Sequence, residues 1–146
     1  MFYSFLDKDS EMKIINNPPE VVLQKIQKIL TKENEDTKPS VGIVDLGGSD
    51  GCLHYVALDD DEEPIGAATL QFESELYKLY VVPLHRKNKV AEGLVKHVME
   101  IVKQKGESEL FIETTEQAIP FWNKLINNNN FKVRIIPNRQ KFYILL

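Results

Sequence analysis

The run from Leu79 to Glu100 constrains the fold more than any other part of the chain, because a strand there feeds a basic turn that opens directly into an amphipathic helix. Leu79, Tyr80, Val81 and Val82 suit a pleated, half-buried strand, and Pro83, which cannot donate to a ladder, closes it. From Val90 the apolar residues recur as Val90, Leu94, Val98 and Ile101 beside Ala91, Val95 and Val102. That is the stripe of a helix packed on a sheet, and Gly106 supplies its stop. Arg86, Lys87 and Lys89 therefore stand where a helix presents unpaired N–H groups and the positive end of its dipole, a place that favours phosphate. The same pattern also occurs in α/β proteins whose basic turn is merely solvated.

Around that run the chain reads as short elements. Asn17 caps a helix with Pro18 near its first position, and Val22, Ile26, Ile29 and Leu30 make its buried face; a short strand at about 12–15 precedes it. Thr31 to Ser40 is charged and carries a late proline, so it reads as a loop, and Gly47–Gly51 as a turn. Leu53–Leu58 and Ile65–Phe72 flank the acidic connection Asp59–Pro64 as hairpin strands, and Glu75–Val82 is the next strand. After the central helix, Leu110–Thr114 reads as a strand, followed by a helix carrying Phe121, Trp122, Leu125 and Ile126. Pro120 is tolerated only in a first turn, so this helix begins near Glu116 or is kinked. Asn127–Asn130 ends it, and Phe131–Ile136 and Lys141–Leu146 form a terminal hairpin. The order is β-α-loop-β-β-β-α-β-α-β-β.

A chain of 146 residues, 42% hydrophobic and 27% charged, suits one domain spanning 1–146 with a single core. No apolar stretch approaches membrane-spanning length, and the opening residues have neither a basic start nor a sustained apolar run, so a cytoplasmic location is expected. Cys52 is the only cysteine, which excludes an internal disulfide; it reads as inert packing more readily than as a nucleophile. His54, His85 and His97 show no metal-ligand spacing, and no metal is expected. The net charge of −4 argues against a nucleic-acid partner, although Lys87, Lys89, Lys132, Arg134 and Arg139 could form a basic surface.

These residues together resemble the GNAT N-acetyltransferase superfamily. Leu79–Ala91 is similar to its acetyl-CoA-binding motif, a strand Leu-x-Val-x-Pro followed by [Gln/Arg]-x-x-Gly-x-[Gly/Ala] at the start of the central helix. Leu79, Val81, Pro83 and Arg86 agree in register and Ala91 fills the last small position, while Lys87 and Lys89 stand where members usually carry glycine. Ala118–Leu125 is similar to the family's Ala-x-x-Phe-Tyr-x-Lys-Leu segment, with Trp122 in place of the tyrosine and Ile126–Asn130 inserted before Phe131. The resemblance covers nearly the whole chain. It implies an α/β (α+β) fold with a mixed, mainly antiparallel central sheet flanked by helices. It also implies acetyl-CoA as co-substrate, an amine acceptor on a small molecule or protein, and a monomer or homodimer. The implied donor-binding residues are Tyr80, Val81, Val82, Arg86, Lys87, Asn88, Lys89, Val90, Ala91 and Glu92.

Acyl transfer from a thioester to an amine requires that the site hold the thioester, take a proton from the ammonium and return one to the thiolate. The resemblance places the base at Glu75, eleven residues before Arg86, and strand parity puts it on the face of Tyr77, Leu79 and Val81. Glu113 is the second candidate, and a plain polar turn at Glu73–Glu75 is the simpler alternative. The strand is expected to splay from its neighbour at about Tyr80–Val82, freeing N–H groups for the thioester carbonyl. The family's thiolate acid is the tyrosine that Trp122 replaces; an indole N–H is no useful acid, so Tyr143 on the last strand, or water, is left for that role. Trp122 itself reads as core. Two readings stay open: an N-acetyltransferase, and a non-catalytic GNAT-like module that binds CoA or a protein.

Overall fold

The apolar runs in the middle of the chain pair into one sheet. In a computed structural model that describes residues 12–37, 41–47, 51–137 and 140–146, the elements are β1 (Lys13–Asn16), α1 (Glu20–Asp36), β2 (Leu53–Leu58), β3 (Pro64–Gln71), β4 (Glu75–Val81), α2 (Val90–Gln104), β5 (Glu109–Glu113), α3 (Ile119–Asn129), β6 (Val133–Ile135) and β7 (Lys141–Leu145). Short 3-10 turns at Pro83–His85 and Glu116–Ala118 precede α2 and α3. The seven strands lie in the order β1-β2-β3-β4-β5-β7-β6. Every neighbouring pair is antiparallel except β4 and β5. This is the mixed, mainly antiparallel sheet flanked by helices that the resemblance implies, with its elements in the order read from sequence.

Small residues on β3 decide where α2 lies. A Cβ added to Gly66 would come within 2.8 Å of Val90 Cγ1 and 3.0 Å of Leu94 Cδ1, so the helix packs directly on that backbone. Leu94, Val95, Val98 and Val102 of α2 are fully buried there. Leu70, Leu76, Ile112 and Phe142, partners in successive strand pairs, carry the same face across the sheet to Trp122 of α3, whose ring meets Phe142 edge-on at 5.6 Å. The opposite face is α1's, where the Tyr80 hydroxyl donates to Glu33 at 2.7 Å.

The stretch from Asn17 to Ser40 departs from the sequence reading. Asn17 does not cap α1: its φ is 52°, its N–H donates to the His54 carbonyl at 2.6 Å, and Pro19 occupies the cap position without a side-chain bond. Asn17 thus closes the β1–β2 ladder instead. Ile26 and Leu30 are buried, but Ile29 points outward at 38% exposure. The helix also continues through Thr31 to Asp36, where a loop was expected. Thr31 accepts from Gln27 at 3.0 Å, Lys32 pairs with Asp36 at 3.3 Å, and Glu33 is held from the sheet, so spaced pairs and one tertiary anchor outweigh the high charge. The second half follows expectation closely. Pro120 sits in the first turn of α3, and Asn130 ends that helix in the left-handed region at φ 54°. Among the described residues no helix is long and apolar enough to cross a membrane.

Candidate active site

The parallel pair β4 and β5 holds together for only two register steps, Glu75 with Phe111 and Leu76 with Ile112. β5 then stops at Glu113, where Thr115 turns the chain by accepting the Ala118 N–H on its hydroxyl at 3.3 Å. β4 runs on to Val81, so its edge facing β5 has no strand partner from Tyr77 onward, and alternate N–H groups face the gap. The splay therefore begins earlier than the expected Tyr80–Val82, because β5 is only five residues long. The gap widens into a cleft of about 1190 Å³ between β4, β5, the start of α2 and α3.

At one end of the cleft the basic turn meets α2. Lys87 and Lys89 have φ of 76° and 64°, so the two positions where the resemblance calls for glycine hold the left-handed backbone that glycine adopts most readily. Gly93 N–H bonds the Lys89 carbonyl at 3.0 Å as the first turn closes. The N–H groups of Val90, Ala91 and Glu92 precede it and have no intrahelical acceptor. Lys87, Lys89 and, from α3, Lys124 line this end. Arg86 lines this end too, its side chain 42% exposed, but its hydrogen bonds go to the protein: Nη1 and Nη2 donate to Glu33 at 2.7 and 2.8 Å, and Nε to the Val81 carbonyl at 2.9 Å. Burial pushes the Glu33 carboxyl up, yet the bonds from Arg86 and Tyr80 outweigh it and hold the group below the ordinary glutamate value. The Tyr80 hydroxyl is raised by burial and then by the Glu33 carboxylate beside it.

The opposite wall is the segment 41–47, and α1 straps it down. Asn34 donates to the Ile43 carbonyl at 2.7 Å and accepts the Val41 N–H at 2.8 Å. Gln27, seven residues and two turns earlier, donates to the Val44 carbonyl at 2.9 Å and accepts the Leu46 N–H at 2.8 Å. Lys78 of β4 donates to the Asp45 carbonyl. None of Gln27, Glu33 and Asn34 stood out in the sequence. The spacing of the two amides along one helix face was the available signal, but it has meaning only once their backbone partners are known.

The two candidate bases fall at different places. Glu113 lines the cleft at the end of β5. Glu75 lies outside the lining, and its carboxylate accepts from Gln71 Nε2 at 3.1 Å. The register of β3 with β4 slips between Thr69 and Leu70, so that Thr69 pairs with Lys78 and Leu70 with Leu76, leaving Tyr77 unmatched. Strand parity breaks there, and Glu75 faces the α1 side with Phe111 and Tyr143, not the side of Leu79 and Val81. Tyr143 is next to Phe111, ring centroids 5.0 Å apart, and lies under Arg134 at 4.1 Å; neither it nor Glu75 opens on the cleft. Tyr80, Val81, Val90, Ala91 and Glu92 line the cleft, whereas Val82 and Asn88 do not. Trp122 is both core and cleft wall, 6% exposed. Of the basic residues weighed for nucleic acid, Arg134 is spent in a two-bond pair with Glu109, and Arg139 lies outside the described residues. Among the described residues no cluster of His, Cys, Asp and Glu is placed to hold a metal ion.

A mixed sheet whose central parallel pair parts over the N-terminus of a helix defines a class of fold, and comparison places the chain within it. The model of the acetyltransferase (GNAT) family matches residues 23–126, and the protein belongs to that family. No curated protein sequence matches the chain. Among solved structures it is similar to a GNAT-family acetyltransferase of Staphylococcus aureus, with TM-score 0.63, 17% identity, and 92% of this chain and 99% of that one covered. The PaiA N-acetyltransferase of Thermoplasma acidophilum, solved in complex with coenzyme A, gives TM-score 0.65 and 17% identity over 92% and 97% of the two chains. Tetrahymena Gcn5 gives 0.66 and 12% over 91% and 95%.

Proposed function

We propose that the protein is an acyl-CoA-dependent N-acyltransferase, with acetyl-CoA as donor and a primary amine as acceptor. The observation that carries this reading is the turn at 86–89: two lysines keep the left-handed backbone of a glycine loop, directly before the unpaired N–H groups of α2 and at the mouth of the β4–β5 gap. A non-glycine residue in that region costs about 1–3 kcal/mol, and here two of them stand where backbone N–H groups would close on a phosphate. The coenzyme A complex of the similar PaiA enzyme supports the same donor class.

The donor supplies an activated thioester; the chain does the rest. The N–H groups of Lys89 to Glu92 and the ammonium groups of Lys87 and Lys89 take the pyrophosphate. The unpaired edge of β4 from Tyr77 to Val81 offers N–H donors to the carbonyl oxygen as negative charge grows there. Glu113, on the wall of the cleft, takes the proton from the acceptor ammonium, whereas Glu75, expected from the resemblance, is turned to the other face of the sheet. With Trp122 in the place of a tyrosine and Tyr143 turned away from the cleft, water returns the proton to the thiolate.

Calorimetry with coenzyme A and acetyl-CoA, followed by release of free thiol across a panel of amines, tests the reading. Binding with thiol release that depends on amine is expected. Binding without release from any amine would leave a CoA-binding module, and absence of binding at millimolar coenzyme A would dismiss both.

A further inference from the structure

We propose that Glu33 is a positioning residue for the donor loop: by engaging the Arg86 guanidinium it sets the turn at 86–89, and with it the first N–H groups of α2, in the geometry that receives phosphate. The inference rests on the donor reading above and gives Arg86 a different job from the one its place in the motif implies.

Arg86 makes three hydrogen bonds, all to protein. Nη1 and Nη2 clasp the two Glu33 oxygens, Nε reaches the Val81 carbonyl at the end of β4, and the guanidinium lies over the Tyr80 ring at 5.6 Å. Fork-to-fork pairing fixes the plane of the group, and the partner carboxylate cancels most of the pull its charge would exert on an anion. Glu33 is fully engaged as well, since Oε1 also accepts from the Tyr80 hydroxyl at 2.7 Å and its side chain is only 11% exposed. Arg86 is thus a strut between α1, the end of β4 and the turn. The turn needs one. Lys87 and Lys89 hold positive φ, and non-glycine residues stay in that region only where their surroundings over-determine it. Among the described residues the Lys87 and Lys89 side chains make no hydrogen bond or ion pair that could do so, while the Arg86 bonds sit on the adjacent residue. Glu33 also lies one residue before Asn34, which holds the opposite wall, so one turn of α1 sets both sides of the cleft.

The test is the affinity for coenzyme A of the full chain, Glu33→Gln, Arg86→Gln and the double variant, with the salt dependence of each and the melting temperature of each free protein. A positioning role makes each single change weaken binding by about tenfold, with the double variant no weaker than either. The slope of log Kd against log salt stays as in wild type, because no phosphate contact is lost. A direct phosphate role for Arg86 gives another pattern: Arg86→Gln loses affinity and a unit of salt slope, while Glu33→Gln binds as well as wild type or better. That pattern overturns the proposal and leaves the donor reading intact. Absence of coenzyme A binding by the wild type overturns both. Tyr80→Phe, which removes one bond to Glu33 and keeps the ring, covers the case in which Glu33→Gln fails to fold. A smaller loss of affinity supports the strut, and wild-type affinity overturns it.

Discussion

The two walls of the cleft are built by different means. The donor wall, β4 running through the basic turn into α2, is made of residues close in sequence, and apart from the Glu33–Arg86 strut at its turn its packing is apolar: Gly66 under Val90 and Leu94, then a stripe of buried valines. The opposite wall, residues 41–47, contains no strand or helix; Leu46 anchors it in the core, and polar side chains of α1 bond its backbone across gaps of 7 to 19 residues. The first kind of wall is written in local patterns and resists movement through close packing. The second has one buried anchor, and the rest of its course depends on a few hydrogen bonds that are individually worth about 1 kcal/mol and can be released one residue at a time.

The largest expected effect lies between the walls, at the proton acceptor. Glu113→Gln should lower acyl transfer by roughly 10²- to 10⁴-fold with unchanged coenzyme A affinity. A wild-type rate in single-turnover assays would remove Glu113 from that role, and Glu75→Gln, on the other face of the sheet, is the matched control expected to keep the wild-type rate. On the donor wall, Gly66→Ala forces a Cβ to within 2.8 Å of Val90 Cγ1, and overpacking of this kind costs about 1–3 kcal/mol. Coenzyme A affinity should fall with the melting temperature, as α2 is pushed off the sheet. On the other wall, Asn34→Ala leaves the Ile43 carbonyl and the Val41 N–H without partners at a cost of about 1–2 kcal/mol, and should raise KM for the amine while sparing coenzyme A affinity. If both variants changed the same constant, the division of labour between the walls would be wrong.

A smaller effect of opposite sign is expected in the turn. Lys89→Gly relieves a left-handed lysine, and after the added chain entropy of glycine the gain should be about 1 kcal/mol in thermal melting. Unchanged stability would mean that the lysine side chain compensates the strain through contacts of its own. The smallest effect is in pH. His54 and His97 are both held below the ordinary histidine value by burial, so each folds neutral, and the stability this represents is present above about pH 6.5 and declines as pH falls below it. Glu33 is also depressed, so a further loss begins below about pH 4.5. Glu109, held low by its bond to Arg134, contributes to the same step, so Glu33→Gln should shrink the second step of a melting-temperature profile and leave the first.

Sequence alone determined most of the donor side. Strand, proline stop, basic turn and amphipathic helix all sit within 22 residues, and each is set by dihedral limits, missing donors or side-chain period that neighbours in sequence impose. The order of elements and the family followed from the same short-range signals. Tertiary structure alone decided that α1 runs on to Asp36, that Asn17 ends a strand instead of starting a helix, and that Glu75 turns to the α1 face at the slip beside Tyr77. It also spent Arg86 on Glu33, 53 residues away, and gave Gln27 and Asn34 a wall to hold. A polar side chain has the same local propensity whether it meets water or a particular carbonyl, so its partner is fixed only when the sheet brings distant backbone within reach.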